Sequence, residues 1–250
     1  MKVTYIQHSG FSVELKDLVL VFDYYKGTMP EFEKDKQIIV FSSHKHHDHF
    51  CLDIFSLAKK YENITYVLSK DIRMSDNYMV NHGISLELKN NIVYVQKNST
   101  MELVLLSGKT MRIETLTSTD EGVAFLLTLT QEMEPEKKQV IYHAGDLNWW
   151  SWQGESQEEY EEMTSKFLAE MKKLEGKEIE VAFVPLDPRQ ENRFWWGFDC
   201  FMKTTRTSKV FPMHCWEDYS VIEKLKDKDC AEEYRDAIVT ITKPGEEFYL

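Results

Sequence analysis

Apolar residues in this chain come in short runs cut by turn residues, with helical spacing in between. Val3 to Ile6, Phe11 to Leu15 and Leu18 to Phe22 read as a β-meander with turns at Ser9-Gly10 and Lys16-Asp17. Tyr24 to Lys36 is a polar loop holding Gly27 and Pro30. Gln37 to Ser43 is apolar and β-branched and ends in small polar residues, the pattern of a buried strand. Phe50 to Tyr61 sets Leu52, Phe55, Leu57, Ala58 and Tyr61 at helical spacing. Ile64 to Ser69 is a strand and Asp71 to Asn77 a short helix. Ser85 to Leu88, Ile92 to Val95, Met101 to Leu105 and Met111 to Leu116 are further strands.

The second half repeats the rhythm. Phe125 to Leu129 is a strand, Gln131 to Lys138 a charged hairpin turn with Pro135, and Val140 onward a strand running into Gly145-Asp146. Glu155 to Lys173 is an amphipathic helix, with Tyr160, Met163, Phe167 and Met171 inward and Glu158, Glu159, Glu161 and Glu162 outward. Ile179 to Val184 is a buried strand ending in Pro185-Leu186-Asp187-Pro188-Arg189. Val210 to His214 is another strand, flanked by helices at Asp199 to Thr205 and Tyr219 to Leu225. Cys230 to Asp236 adds a charged helical turn, and Ile238 to Thr242 with Glu247 to Leu250 closes the chain. Strands then helix, twice, indicate an α/β fold. We expect one domain over 1–250, made of pseudo-two-fold halves near 1–125 and 126–250.

Composition narrows the function classes. A hydrophobic share of 42% is ample for a core, and no uncharged apolar run is long enough for a membrane span. The N-terminus reads as a strand rather than a signal peptide, so a cytoplasmic location is expected. A net charge of −12 argues against a nucleic-acid partner and favours a small-molecule substrate. Oligomeric state is left open. Cys51, Cys200, Cys215 and Cys230 show no CxxC spacing and read as free thiols.

The chemistry concentrates in His44-Lys45-His46-His47-Asp48-His49, which directly follows the strand ending at Ser43. Imidazole and carboxylate together suit a divalent metal: Zn first, with Mn, Fe and Ni also compatible. A strand-to-helix loop splays alternate residues, so His44 and His46 can share one ion. Asp48 and His49 point apart, which suits a second ion beside the first. His47 is the odd member and either turns outward or hydrogen-bonds behind the ligands rather than ligating. Trp149 and Trp150, together with Trp195, either wall a substrate pocket or pack against the neighbouring helix. Arg189 either anchors a substrate anion or pairs with Asp187.

His44-x-His46-x-Asp48-His49 after an apolar strand resembles the signature of the metallo-β-lactamase superfamily. Gly145-Asp146 at one strand end and His214 at another resemble its later motifs. Gln7-His8-Ser9-Gly10-Phe11 resembles the opening of the subgroup that includes the L-ascorbate-6-phosphate lactonases. The resemblance implies a four-layer αβ/βα sandwich of two mixed sheets flanked by helices. It implies metal ligation by His44, His46, Asp48, His49, Asp146 and His214, with Asp146 bridging two ions, and a buttressing role for Asp23. It implies hydrolysis by a metal-bound hydroxide of a small anionic ester, lactone or phosphoester; Asp48 is the natural acceptor for the water's proton where it is not tied up as a ligand. The alternatives are a metal-dependent phosphodiesterase or nuclease, and a degenerate metal-binding member without turnover.

One departure stands out. Where the superfamily offers a further His, this chain has Thr119 beside Asp120. Asp120 either replaces that ligand or caps the turn, and His143 either replaces it or sits in the core. His8 faces a metal or serves as a turn histidine.

Overall fold

The computed structural model describes residues 1–131 and 134–250. It divides the chain into two compact units. Unit 1 comprises residues 1–96, 105–107 and 244–250, and unit 2 residues 97–104 and 108–243. The units part near residue 97, so residue 125 falls inside a strand of unit 2.

Unit 1 is built on a seven-stranded mixed sheet. Its strands are β1 (Lys2–Gln7), β2 (Gly10–Glu14), β3 (Leu18–Phe22), β4 (Gln37–Ser42), β5 (Ile64–Ser69) and β6 (Ile92–Val95), with the chain's last strand, β13 (Glu247–Tyr249), on one edge. The order is β13-β1-β2-β3-β4-β5-β6. Pairing is antiparallel from β13 to β3 and parallel from β3 to β6. Every residue of β3 and β4 is buried, as expected for parallel strands covered on both faces. Register slips between Tyr5 and Gln7, where β1 bends into the turn carrying His8. Gly10 is required there, because a Cβ would stand 3.0 Å from Gln7 O and 3.3 Å from Asp23 O.

Two expectations in this unit are corrected. The helix expected over Phe50 to Tyr61 is a 3-10 segment, Leu52–Lys59, with Cys51 offering no side-chain cap. Its threefold spacing presents Leu52, Phe55 and Ala58 together to the cluster around Val40 and Tyr66. The strand expected over Ser85 to Leu88 is a 3-10 turn, Leu86–Asn91. Ser85 Oγ caps it by accepting from Glu87 N–H, and none of its residues is buried. The short helix α1 spans Asp76–Asn81, beyond the expected start at Asp71, because Ser75 supplies its N-cap.

Unit 2 carries a six-stranded mixed sheet: β7 (Thr100–Val104), β8 (Thr110–Thr117), β9 (Val123–Gln131), β10 (Glu134–His143), β11 (Glu178–Pro185) and β12 (Arg206–Met213). The order is β12-β11-β10-β9-β8-β7, parallel from β12 to β10 and antiparallel from β10 to β7. Strand pairing already joins Gln131 to Glu134, so most of the expected hairpin turn is strand, and residues 132–133 of that expectation lie outside the described residues. Helix α2 (Gln157–Leu174) starts with a reciprocal capping box between Ser156 and Glu159. Helix α3 (Trp196–Thr204) starts two residues from Phe198 and three before the expected Asp199, and α4 (Ser220–Lys226) follows β12. Gly197 is needed where α3 begins, since a Cβ would collide with the Asn148 side chain. The closing strand expected over Ile238 to Thr242 is reduced to one parallel bridge from Ile238 to Val210. The core is aromatic, with Tyr142 stacked on Phe201 at 5.0 Å and Phe183 beside Phe211.

Candidate metal centre

In unit 1 the donors follow two strands of the sheet, His8 after β1 and His44, His46, Asp48 and His49 after β4. The loop after β4 folds back on itself, because His49 N–H and Phe50 N–H both donate to His46 O at 3.0 Å. This gathers the rings: His44 lies 4.6 Å from His46 and 4.2 Å from His49, centroid to centroid. The ligating atoms of His44 and His46 lie within 4.8 Å of each other, as do those of His8, Asp48 and His49 among themselves. His8 Nε2 stands 3.5 Å from Asp48 Oδ2. His47, by contrast, is exposed.

Asp23, wholly buried at the end of β3, organises this loop. Its Oδ1 accepts Ser43 N–H at 2.7 Å, and its Oδ2 accepts the Ser43 hydroxyl at 2.6 Å and His49 Nδ1–H at 2.8 Å. Because the Ser43 proton goes to Asp23, Ser43 Oγ is left to accept from His44 Nδ1–H, 3.0 Å away. One carboxylate thus sets the tautomers of both His44 and His49, leaving each Nε2 with its lone pair. His8 and Asp23 have φ of +57° and +41°. Such conformations are costly for residues other than glycine and cluster at functional sites.

In unit 2 the donors are Asp146, after β10, and His214, after β12. His214 Nε2 lies 3.3 Å from Asp146 Oδ1. Its other nitrogen, Nδ1, lies 2.9 Å from Asp187 Oδ2. Asp187, wholly buried, also accepts from Arg189 through the backbone N–H at 2.9 Å and the guanidinium Nε at 3.0 Å, and from Trp216 Nε1 at 3.2 Å. Burial pushes the Asp187 carboxyl up. The hydrogen bonds from His214 and Arg189 outweigh burial and hold it down at about 2. An ionised Asp187 fixes the proton on His214 Nδ1 and turns the Nε2 lone pair towards Asp146. His214 also has a positive φ, +66°.

This spacing is a test of whether the residues fit a metal. Ligand atoms about 2.1 Å from a shared tetrahedral ion stand roughly 3.4 Å apart. The 3.3 Å between His214 Nε2 and Asp146 Oδ1, and the 3.5 Å between His8 Nε2 and Asp48 Oδ2, match that figure. Two lone-pair donors facing each other at this range repel unless a cation or proton lies between them. The donor set therefore fits a divalent ion.

Thr119 has a different job from a ligand. Its hydroxyl accepts Asn148 N–H at 3.0 Å and donates to Asn148 O at 2.6 Å, fixing the loop that carries Asp146. Asp120 is exposed, and its ligating oxygen lies within 4.8 Å of that of Asp146. His143 is buried, accepts Gly145 N–H at 3.1 Å and lies against Phe183 at 5.7 Å.

The aromatic wall is only partly a wall. Trp149 donates to Thr164 Oγ1 and stacks on Tyr160 and Phe167 of α2, which is packing. Trp195 donates to Asn192 O and lies against Trp196, with Lys228 5.3 Å above its ring. Trp150 does reach the centre: its Nε1 donates to Asp146 O at 2.9 Å and its ring lies 5.5 Å from His214. Arg189 pairs with Asp187, and its guanidinium lies 4.3 Å from the Trp216 ring. The thiols of Cys51 and Cys215 donate to Tyr24 O and Met213 O, and burial raises the pKa of both.

The link of Asp187 to His214 had no local signal, since 27 positions separate them. The nearest hint was Asp187 between two prolines at the end of a buried strand.

The family model for the Beta-lactamase superfamily domain matches residues 2–190. No curated protein sequence matches the chain. Among solved structures the chain is similar to Igni18, a novel metallo hydrolase from Ignicoccus hospitalis, at 18% identity over 100% of this chain and 98% of that one (TM-score 0.59). It is similar to an inferred metal-dependent hydrolase from Parabacteroides distasonis, at 16% identity over 96% and 92% (TM-score 0.57). It is also similar to CmlA, a diiron β-hydroxylase from Streptomyces venezuelae, at 10% identity over 85% of this chain and 44% of that one (TM-score 0.50). Two mixed sheets flanked by helices are the metallo-β-lactamase type of α/β fold. With the family model spanning 2–190, the chain belongs to the β-lactamase superfamily.

Proposed function

We propose that this protein is a metal-dependent hydrolase of small, anionic esters, lactones or phosphoesters. The observation that carries the proposal is the pair His214 Nε2 and Asp146 Oδ1 at 3.3 Å, with the far side of the imidazole locked by Asp187. Ligands in this reading are His44, His46, Asp48, His49, Asp146 and His214, holding one or two divalent ions, zinc first. When bound, such an ion lowers the pKa of a water and polarises a carbonyl or phosphoryl oxygen.

The chain's own residues do the rest. Asp23 and Asp187 keep three imidazoles in the tautomer that presents Nε2. Asp48, where it is not tied up as a ligand, is the acceptor for the proton of the attacking water. Trp150 covers one flank of His214 and keeps bulk water from it.

Thr119 supports a one-ion variant of the same reading, since its side chain is engaged by the Asn148 backbone rather than offered as a donor. A di-iron reading carries less weight, because similarity to CmlA, a diiron β-hydroxylase, at 10% identity speaks for the fold alone. The test is turnover on a panel of aryl esters, lactones and phosphodiesters before and after chelation. Hydrolysis lost on chelation and restored by Zn(II) or Mn(II) supports the proposal. Hydrolysis indifferent to chelation, or none on the panel by fully metallated protein, overturns it.

A further inference from the structure

Beside the histidine loop, wholly within unit 1, lies a cavity of about 790 Å³. Small-molecule sites run from about 300 to 1,000 Å³. Its lining includes His46, the candidate ligand, and Asp71 to Ser75 with Tyr78 from the strap that runs from Asp71 to Tyr78. The strap is held in place. Asp71 Oδ2 accepts Lys45 N–H at 2.8 Å, Tyr94 OH accepts Met74 N–H at 3.3 Å, and Ser75 caps α1. Phe50, Leu52, Met74 and Tyr78 give the cavity an apolar lining, and Tyr78 is 42% exposed.

Charge in the lining runs against the whole molecule. The net charge of the protein is −12, yet this cavity is lined by Lys45 and Arg73 against a single carboxylate, Asp71. That carboxylate is already engaged by the Lys45 N–H. Arg73 forms no ion pair and no side-chain hydrogen bond among the described residues. Asp76, the next acid along the strap, is paired with Lys89 at 2.7 Å. A planar guanidinium at the rim of an apolar cleft suits a carboxylate or phosphate attached to an apolar group.

We propose that this cavity is a binding site for small amphiphilic anions, in which Arg73 holds the anionic group and Phe50, Leu52, Met74 and Tyr78 enclose an acyl or aryl tail. Its service as the substrate pocket rests on the hydrolase reading above, with His46 as the shared residue. The binding itself does not depend on that reading.

The test is calorimetric titration of the full chain with 4-phenylbutyrate and with its neutral amide, before and after chelation. The carboxylate binds more tightly than the amide by roughly three- to fivefold, the range of an exposed ion pair. Arg73→Gln removes the preference, Arg73→Lys keeps part of it, and Tyr78→Ala weakens both ligands alike. The preference persists after chelation, because Arg73 and not a metal reads the charge. Equal affinity for acid and amide, binding unchanged by Arg73→Gln, or no binding of either overturns the site. Failure of hydrolysis with intact, Arg73-dependent binding overturns the hydrolase reading alone.

Discussion

Asp187 Oδ2 lies 2.9 Å from His214 Nδ1, while His214 Nε2 faces Asp146 Oδ1 at 3.3 Å. The imidazole is thus oriented by one carboxylate and aimed past the other. Asp187 is itself held by the Arg189 backbone and guanidinium, so the ring's orientation is set before any ion arrives.

Removing that hold should weaken metal binding without removing a donor. Asp187→Asn is expected to cost about 10- to 100-fold in metal affinity, the usual effect of losing a carboxylate behind a ligating histidine. Competition with a chromogenic chelator measures it, with His214→Ala as the reference for outright loss of a ligand.

Asp23 supports a whole loop, so its loss should show in folding as well. Its buried carboxylate accepts three hydrogen bonds, from Ser43 N–H, Ser43 Oγ–H and His49 Nδ1–H. Asp23→Ala leaves those donors buried without an acceptor, at a cost of about 1–3 kcal/mol for each group left unsatisfied. Urea denaturation of the chelated protein should show a lowered midpoint, which separates this effect from metal loss.

Thr119 should tolerate only a hydroxyl. Thr119→Ser keeps both hydrogen bonds to Asn148 and should retain stability. Thr119→Val, which is isosteric but cannot bond, should cost about 1–3 kcal/mol. Thr119→His should lower hydrolysis rather than raise it, because the imidazole would displace the tie that fixes the loop of Asp146.

The thiols should stand outside the chemistry. Cys215, next to His214, is only 2% exposed and its thiol donates to Met213 O. Alkylation of the native protein should therefore spare Cys215 and leave bound metal unchanged. Mass spectrometry of digests, with metal content measured in parallel, checks both.

Much of the fold was legible because its signals are local. Leu18 to Phe22 and Ile38 to Phe41 are apolar throughout, and parallel strands buried on both faces require that. The histidine loop follows such a strand, His214 follows the buried end of β12, and Asp146 comes three residues after β10. Helix type was less legible: Leu52–Lys59 satisfies the spacing of an α-helix and of a 3-10 segment alike, and packing decided between them. The positive φ of His8, Asp23 and His214 has no sequence signature, since none is glycine. The ties of Asp23 to His49 and Asp187 to His214 cross long stretches of chain, and only the assembled sheets reveal them. Trp149 shows the converse. Its place in a tryptophan-rich run left a pocket wall and helix packing both open, and the ring stacks on Tyr160 and Phe167 of α2.

The most direct measurement is an anomalous-scattering map of crystals grown without chelator, with the element identified at its absorption edge. The expected result is at least one divalent ion within about 2.0–2.2 Å of both His214 Nε2 and Asp146 Oδ1. Under the two-ion reading, a second ion lies at His44 and His46. An unchelated crystal with no anomalous peak at His214 or Asp146, and a water or proton accounting for their 3.3 Å approach, would contradict the metal centre outright.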